Sequence, residues 1–153
     1  MFLLCRMFSD SEDSENIVNK NMKNHTFKIS SPGTWILDSD IHGTIIVKNV
    51  KNVLLDLKRY TINACNAKKA IIITNSENIR IVGGNIANSG IGIFISKKCQ
   101  CIMMENLNFM DVVYHIESET LDKIQIKDVR YLESIKIKIE TKNADVSIQM
   151  PKF

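Results

Sequence analysis

Apolar and polar residues alternate along this chain in short segments, and the segments recur in the same order about every 22 residues. Ile45-Ile46-Val47 is followed by Asn52-Val53-Leu54-Leu55 and then Tyr60-Thr61-Ile62. The same three-part phrase returns as Ile71-Ile72-Ile73, Asn78-Ile79-Arg80-Ile81 and Gly84-Asn85-Ile86. It continues through Ile93-Phe94-Ile95, Cys101-Ile102-Met103 and Leu107-Asn108-Phe109, and again through Tyr114-His115-Ile116, Ile124-Gln125-Ile126 and Val129-Arg130-Tyr131. Ile135-Lys136-Ile137 and Val146-Ser147-Ile148 close the series, with spacings of 26 for the first pair and 21 to 23 afterwards. Each segment has period 2, and none carries a helical period, so the pattern predicts strands.

Parallel strands about 22 residues apart, with no helix between them, predict a coil of three strands per turn whose equivalent residues stack about 4.8 Å apart. On the first strand the inward pairs are Ile45/Val47, Ile71/Ile73, Ile93/Ile95, Tyr114/Ile116 and Ile135/Ile137, placing Ile71, Ile93 and Ile135 in one column. On the second they are Val53/Leu55, Ile79/Ile81, Cys101/Met103, Ile124/Ile126 and Val146/Ile148. The third contributes Tyr60/Ile62, Gly84/Ile86, Leu107/Phe109 and Val129/Tyr131, where bulky Tyr60 beside Gly84 suits a narrow interior. Asn-rich links such as Lys48–Asn52 and Thr74–Asn78 read as corners, because Asn tolerates a left-handed backbone.

The stretch Ile29–Leu37, then Asp40-Ile41-His42-Gly43-Thr44-Ile45-Ile46-Val47, resembles the opening rung of right-handed parallel β-helix repeat proteins, the pectate-lyase-like superfold, and especially NosD-type repeats. Asn52–Leu57 with Tyr60-Thr61-Ile62, and Gly83-Gly84-Asn85-Ile86, carry the likeness onward, and it covers about residues 26 to 150. The expected fold is therefore all-β: a single-stranded right-handed parallel β-helix of about five to six rungs over residues 25–153. Leu121-x-x-Ile124-x-Ile126-x-x-Val129 fits a leucine-rich repeat, but two further alternating segments in each unit favour the β-helix. Residues 1–24 differ. Ser9–Glu15 is acidic and serine-rich, which predicts a short helix over Glu12–Met22 that caps the exposed end of the coil, with a tail as the alternative.

At 153 residues, 44% hydrophobic and 24% charged, the chain is one domain's worth of globular sequence. A net charge of +3 gives no reason to expect a nucleic-acid partner. Apolar runs such as Ala70–Ile73 are too short to span a bilayer, and Met1–Cys5 lacks the basic flank of a signal peptide. The expected location is cytoplasmic or virion-associated, the latter because 24 Ile and 15 Asn against 5 Ala point to an AT-rich microbe or a large DNA virus. Cys5, Cys65, Cys99 and Cys101 read as buried free thiols; Cys99-x-Cys101 lacks the partners of a zinc set, and neither metal nor cofactor is expected.

Enzymes of the superfold act on polysaccharides, so the resemblance implies a search for clustered acids, with Arg or Lys for lyase chemistry or paired carboxyls for hydrolysis. Asp111, His115 and Glu117 are the best acid/base candidates, since the phasing places His115 and Glu117 outward on one strand. Asp38, Asp40 and Asp56 match the ordinary repeat pattern, and no Asp-Asp pair, Gly-His-Gly or Arg-x-Lys occurs. The short rod and short connections weigh against a catalytic cleft. A different feature carries the functional expectation. Outward residues of the first strand read Ile46, Ile72, Phe94, His115 and Lys136, an apolar stripe followed by polar positions. Such a stripe predicts a structural module that forms a homo-oligomer, trimer ahead of dimer, or joins a larger assembly, unless the N-terminal segment covers it. Glycan binding is the alternative, with Trp35 as its aromatic platform and the three Tyr expected inside.

Overall fold

A computed structural model describes residues 15–18, 25–65, 67–120, 124–127, 130–131, 137–139 and 146–149. These residues contain thirteen strands and no helix. In chain order they are β1 (Asn16–Val18), β2 (His25–Ile29), β3 (Gly33–Leu37), β4 (Ile41–Lys48), β5 (Lys51–Asp56), β6 (Thr61–Asn63) and β7 (Lys69–Thr74). Then come β8 (Glu77–Ile95), β9 (Gln100–Ser118), β10 (Ile124–Lys127), β11 (Arg130–Tyr131), β12 (Ile137–Ile139) and β13 (Val146–Gln149). Their pairings are parallel, and each joins a strand to its equivalent in the next turn.

The coil has three sides. β2, most of β4, β7, the end of β8, the end of β9 and β12 stack on the first. The second holds β1, β3, β5, the starts of β8 and β9, β10 and β13. The third holds the start of β4, β6, the middles of β8 and β9, and β11. β8 and β9 each bend round a whole turn without leaving extended structure. The fold is a parallel β-solenoid of about four turns, slightly fewer than the five to six rungs inferred from the repeat. Shorter strands extend the stack at both ends: β1 pairs with β3, and β13 with β10.

The interior consists of columns of branched aliphatic residues. Ile45, Ile71, Ile93 and Ile116 form one; Val53, Ile79, Ile102 and Ile124 form another; Leu55, Ile81, Met104 and Ile126 a third. All are buried to within a few per cent of full enclosure. At ~1.5–3 kcal/mol for each such side chain, these columns are the main source of stability. β-Branched residues suit them because a restricted χ1 loses little on being fixed in a strand.

Two sequence phasings are corrected by the register. β9 follows β8 with one constant offset, so Ile93 lies against Ile116 and not Tyr114, and Ile79 against Ile102 and not Cys101. Hence Ile102 and Met104 point inward on the second side, and Cys101 and Met103 do not. The first-side column continues from Ile116 to Ile137 by backbone pairing; Ile135, expected there, lies outside the described residues. Tyr60 and Tyr114 are exposed, at 37% and 39%, rather than inside. The large neighbour that makes Gly84 small is instead Leu57, fully buried: a Cβ at Gly84 would collide with Leu57 Cβ and come within 2.7 Å of the Tyr60 carbonyl oxygen.

Corners are built from residues with left-handed backbone. Asn52, Asn78 and Cys101 share one such position, Gly83 and Asn106 a second, and Asn88 and Asp111 a third. Their amides also bond between turns: Asn78 Nδ2 donates to Asn52 Oδ1 at 2.7 Å, and Asn75 Nδ2 to Asn49 Oδ1 at 2.8 Å. Asn thus serves twice, tolerating positive φ and linking adjacent rungs. At the N-terminal end, Asn16–Val18 is a strand where the acidic run predicted a helix over Glu12–Met22. An unpaired β3 edge offers backbone partners that an isolated short helix lacks, and Val18 is buried there. The remainder of the 1–24 segment, with Cys5, lies outside the described residues.

Candidate functional site

The acid/base candidates Asp111, His115 and Glu117 lie in three different surroundings. Asp111 is exposed and occupies the left-handed corner position held by Asn88 one turn earlier. His115 does not point outward beside Glu117: it is 8% exposed, and its ring packs on Phe109 with centroids 5.0 Å apart. The cause is the corner itself. Ala70, Gly92 and His115 fall at one register position, between the Lys69–Ile91–Tyr114 and Ile71–Ile93–Ile116 pairings. All three are buried, so the chain there turns two consecutive residues inward. Gly92 has no side chain because a Cβ would sit 2.5 Å from Phe109 Cε1 and 2.7 Å from the His115 carbonyl oxygen. Glu117 stays on the outer face, half-buried.

The apolar stripe is assembled. Ile46, Ile72 and Phe94 occupy consecutive rungs in direct register. Its continuation differs from the one expected from sequence: the next residue is Glu117, not His115, and the one after is Lys138, not Lys136. Lys28 precedes Ile46 on the other side. Ile46 and Ile72 are half-buried, and Phe94 is only 9% exposed. Lys69 reaches across to Phe94 and holds its ammonium 3.1 Å from the ring centroid, a cation–π contact of ~0.5–1 kcal/mol. Burial lowers the Lys69 pKa from its ordinary value by stripping water from the ammonium; Lys68 adds to this, while Glu117 and Glu119 oppose it. The stripe thus presents Ile46 and Ile72 half-buried, with the Lys69 ammonium over the Phe94 ring.

Other acids hold the backbone. Asp40 Oδ1 accepts the Thr61 N–H at 2.7 Å, and Asp56 Oδ1 accepts the Lys58 N–H at 2.8 Å. Ion pairs link rungs: Lys51 to Glu77 and Arg80 to Glu105, both at 2.6 Å. Trp35 packs edge-on against Phe27 and donates its indole N–H to the Ser31 carbonyl at 3.2 Å, which helps close an early rung.

Two features escape a reading by alternation. Cys65 is exposed, not buried, at a left-handed corner, with Sγ 3.4 Å from His42 Nδ1; only the tertiary stack brings those turns together. Cys99 is buried and donates to the Ile73 carbonyl, while Cys101 sits at the corner, so the Cys-x-Cys pair does not converge. The second is a shallow groove of about 590 Å³ on the third side, lined by Arg59, Asn85, Asn106 and Asn108 among others. Asn108 Nδ2 donates to Asn85 Oδ1 at 3.2 Å along its floor. Among the described residues, no group of three or more His, Cys, Asp or Glu is placed to hold a metal, and no helix is long and apolar enough to cross a membrane.

The class defined by this geometry is the parallel β-solenoid. Comparison with protein-family models, with curated proteins and with solved structures finds no match for the chain.

Proposed function

We propose that this chain is a non-enzymatic structural or interaction module, a small β-helix of the pectate-lyase-like, NosD-repeat kind that associates side by side with copies of itself or within a larger assembly, a virion among the candidates. The observation that carries this reading is the in-register strip of Ile46, Ile72 and Phe94 on three consecutive strands. Inward packing gives no reason for outward Ile and Phe at the same position of successive rungs. A second surface laid on the strip would remove the remaining apolar area from water at about 25 cal/mol per Å². The triple change Ile46→Ser, Ile72→Ser and Phe94→Ser tests it by light scattering and circular dichroism. The expected result is an oligomeric parent and a monomeric variant with an unchanged spectrum. A monomeric parent, or a variant that keeps both its fold and its mass, overturns the reading.

Glycan binding is the second reading, favoured by the third-side groove. Asn85, Asn106, Asn108 and Arg59 offer amide and guanidinium groups suited to sugar hydroxyls, next to the exposed Tyr60. Titration with neutral and acidic oligosaccharides, comparing the parent with Arg59→Ala, separates it from the first.

A further inference from the structure

We infer that the occupant of the apolar strip is a second copy of this chain, related by a two-fold axis that crosses the strip at Ile72, so that the two solenoids lie side by side and antiparallel. This deepens the self-association reading and rests on it. The column containing the strip runs Lys28, Ile46, Ile72, Phe94, Glu117, one residue per rung without a break in register. Lys28 flanks the apolar trio on one side and Glu117 on the other, each two rungs, or about 10 Å, from Ile72, and Lys138 follows Glu117 by backbone pairing. A two-fold axis at Ile72 reverses the order of the column. Lys28 then meets Glu117 of the second copy, Ile46 meets Phe94, and Ile72 meets itself. The five positions from Lys28 to Glu117 are matched, with Lys138 one rung beyond them, and the Lys28–Glu117 pair occurs twice, as an isologous contact requires.

Packing about an axis parallel to the solenoid, as in a cyclic trimer, sets each rung beside its own equivalent. Lys28 would then approach Lys28, and Glu117 would approach Glu117, and like charges across an interface are repulsive. The charge order along the column therefore distinguishes the two geometries where the apolar residues do not. Lys69 does not displace the pairing. A carboxylate has about four acceptor positions, so Glu117 can face Lys69 of its own chain and Lys28 of the second copy together.

Charge reversal on the full chain tests the arrangement. Lys28→Glu and Glu117→Lys should each raise the dimer dissociation constant about tenfold or more, and the double variant should return it to within about threefold of the parent. Sedimentation equilibrium reads the constant, and circular dichroism checks the fold of each variant. Cysteine cross-linking gives a reading that needs no charge change. In a Cys65→Ser background, Ile72→Cys should form a covalent dimer on oxidation with diamide, whereas Ile46→Cys should not, because its copies lie about two rungs apart. If the parent self-associates but single reversals leave the constant unchanged, or the double variant stays dissociated, the two-fold arrangement is wrong and self-association stands. Cross-linking through Ile46→Cys as readily as through Ile72→Cys likewise overturns the two-fold arrangement alone. A monomeric parent overturns both.

Discussion

Two stretches of the first side obey different rules. Along Ile45–Val47 and Ile71–Ile73, alternation alone decides what is buried: the outer residues of each triplet are fully enclosed and the middle one is half-buried. At the corner that leads into this side, consecutive residues are enclosed, as in Gly92-Ile93 and His115-Ile116. A straight strand sends side chains to opposite faces, whereas a bend between two sides directs neighbours toward the same interior. Period 2 is therefore a property of the flat segments and fails within one residue of a corner.

The largest expected effect lies in the straight segment. Ile73→Asp places a carboxyl in a fully enclosed column between Val47 and Ile95 and should cost about 4 kcal/mol or more, read as loss of the native spectrum or as aggregation. Next come the glycines. Gly84→Ala sets a methyl against Leu57 Cβ and a backbone carbonyl and should cost about 1–3 kcal/mol by chemical denaturation. Gly92→Ala should cost a similar amount, and Phe109→Leu in the same chain should recover part of it by withdrawing the ring edge. An unaffected Gly92→Ala protein would place the corner elsewhere.

His115→Ala should then cost about 1–3 kcal/mol, because it empties the space beside Phe109. Asp111→Asn, at a corner where Asn88 already shows the fit, should stay within about 0.5 kcal/mol. Equal costs for the two would contradict the difference between an enclosed corner and an exposed one. The smallest effect is electrostatic. The Lys69 pKa is lowered on folding, so between that lowered value and the ordinary 10.5 the unfolded chain binds more protons and folding stability rises with pH. Lys69→Met should lose this rise, measured as the difference in unfolding midpoint between parent and variant as the pH is raised towards 10.5.

Much of this was legible in the residues. The strands of the first two full turns, their inward Ile and Val, and the strip Ile46–Ile72–Phe94 all follow from alternation and the repeat. The errors came from phasing each side separately. Gly84 against Leu107 fixes the offset between β8 and β9, and a rigid rung imposes the same offset on its other two sides. Applied there, it sets Ile116 against Ile93, moves Ile102 inward and turns Tyr114 and Cys101 out. The same offset gives Glu117 the stripe position assigned to His115, while His115 itself is turned inward by the corner.

Parallel stacking of the strands is written in the residues, because a repeat of about 22 residues with three alternating segments encloses its apolar faces by coiling on itself. So is the position of the corners, because Asn and Gly tolerate the backbone a corner needs. Which residue of each corner turns inward, the placing of Lys69 over Phe94 and the meeting of Cys65 with His42 are set by the assembled stack. Those outcomes depend on contacts between turns, which close-packing settles across the whole stack and no single segment contains.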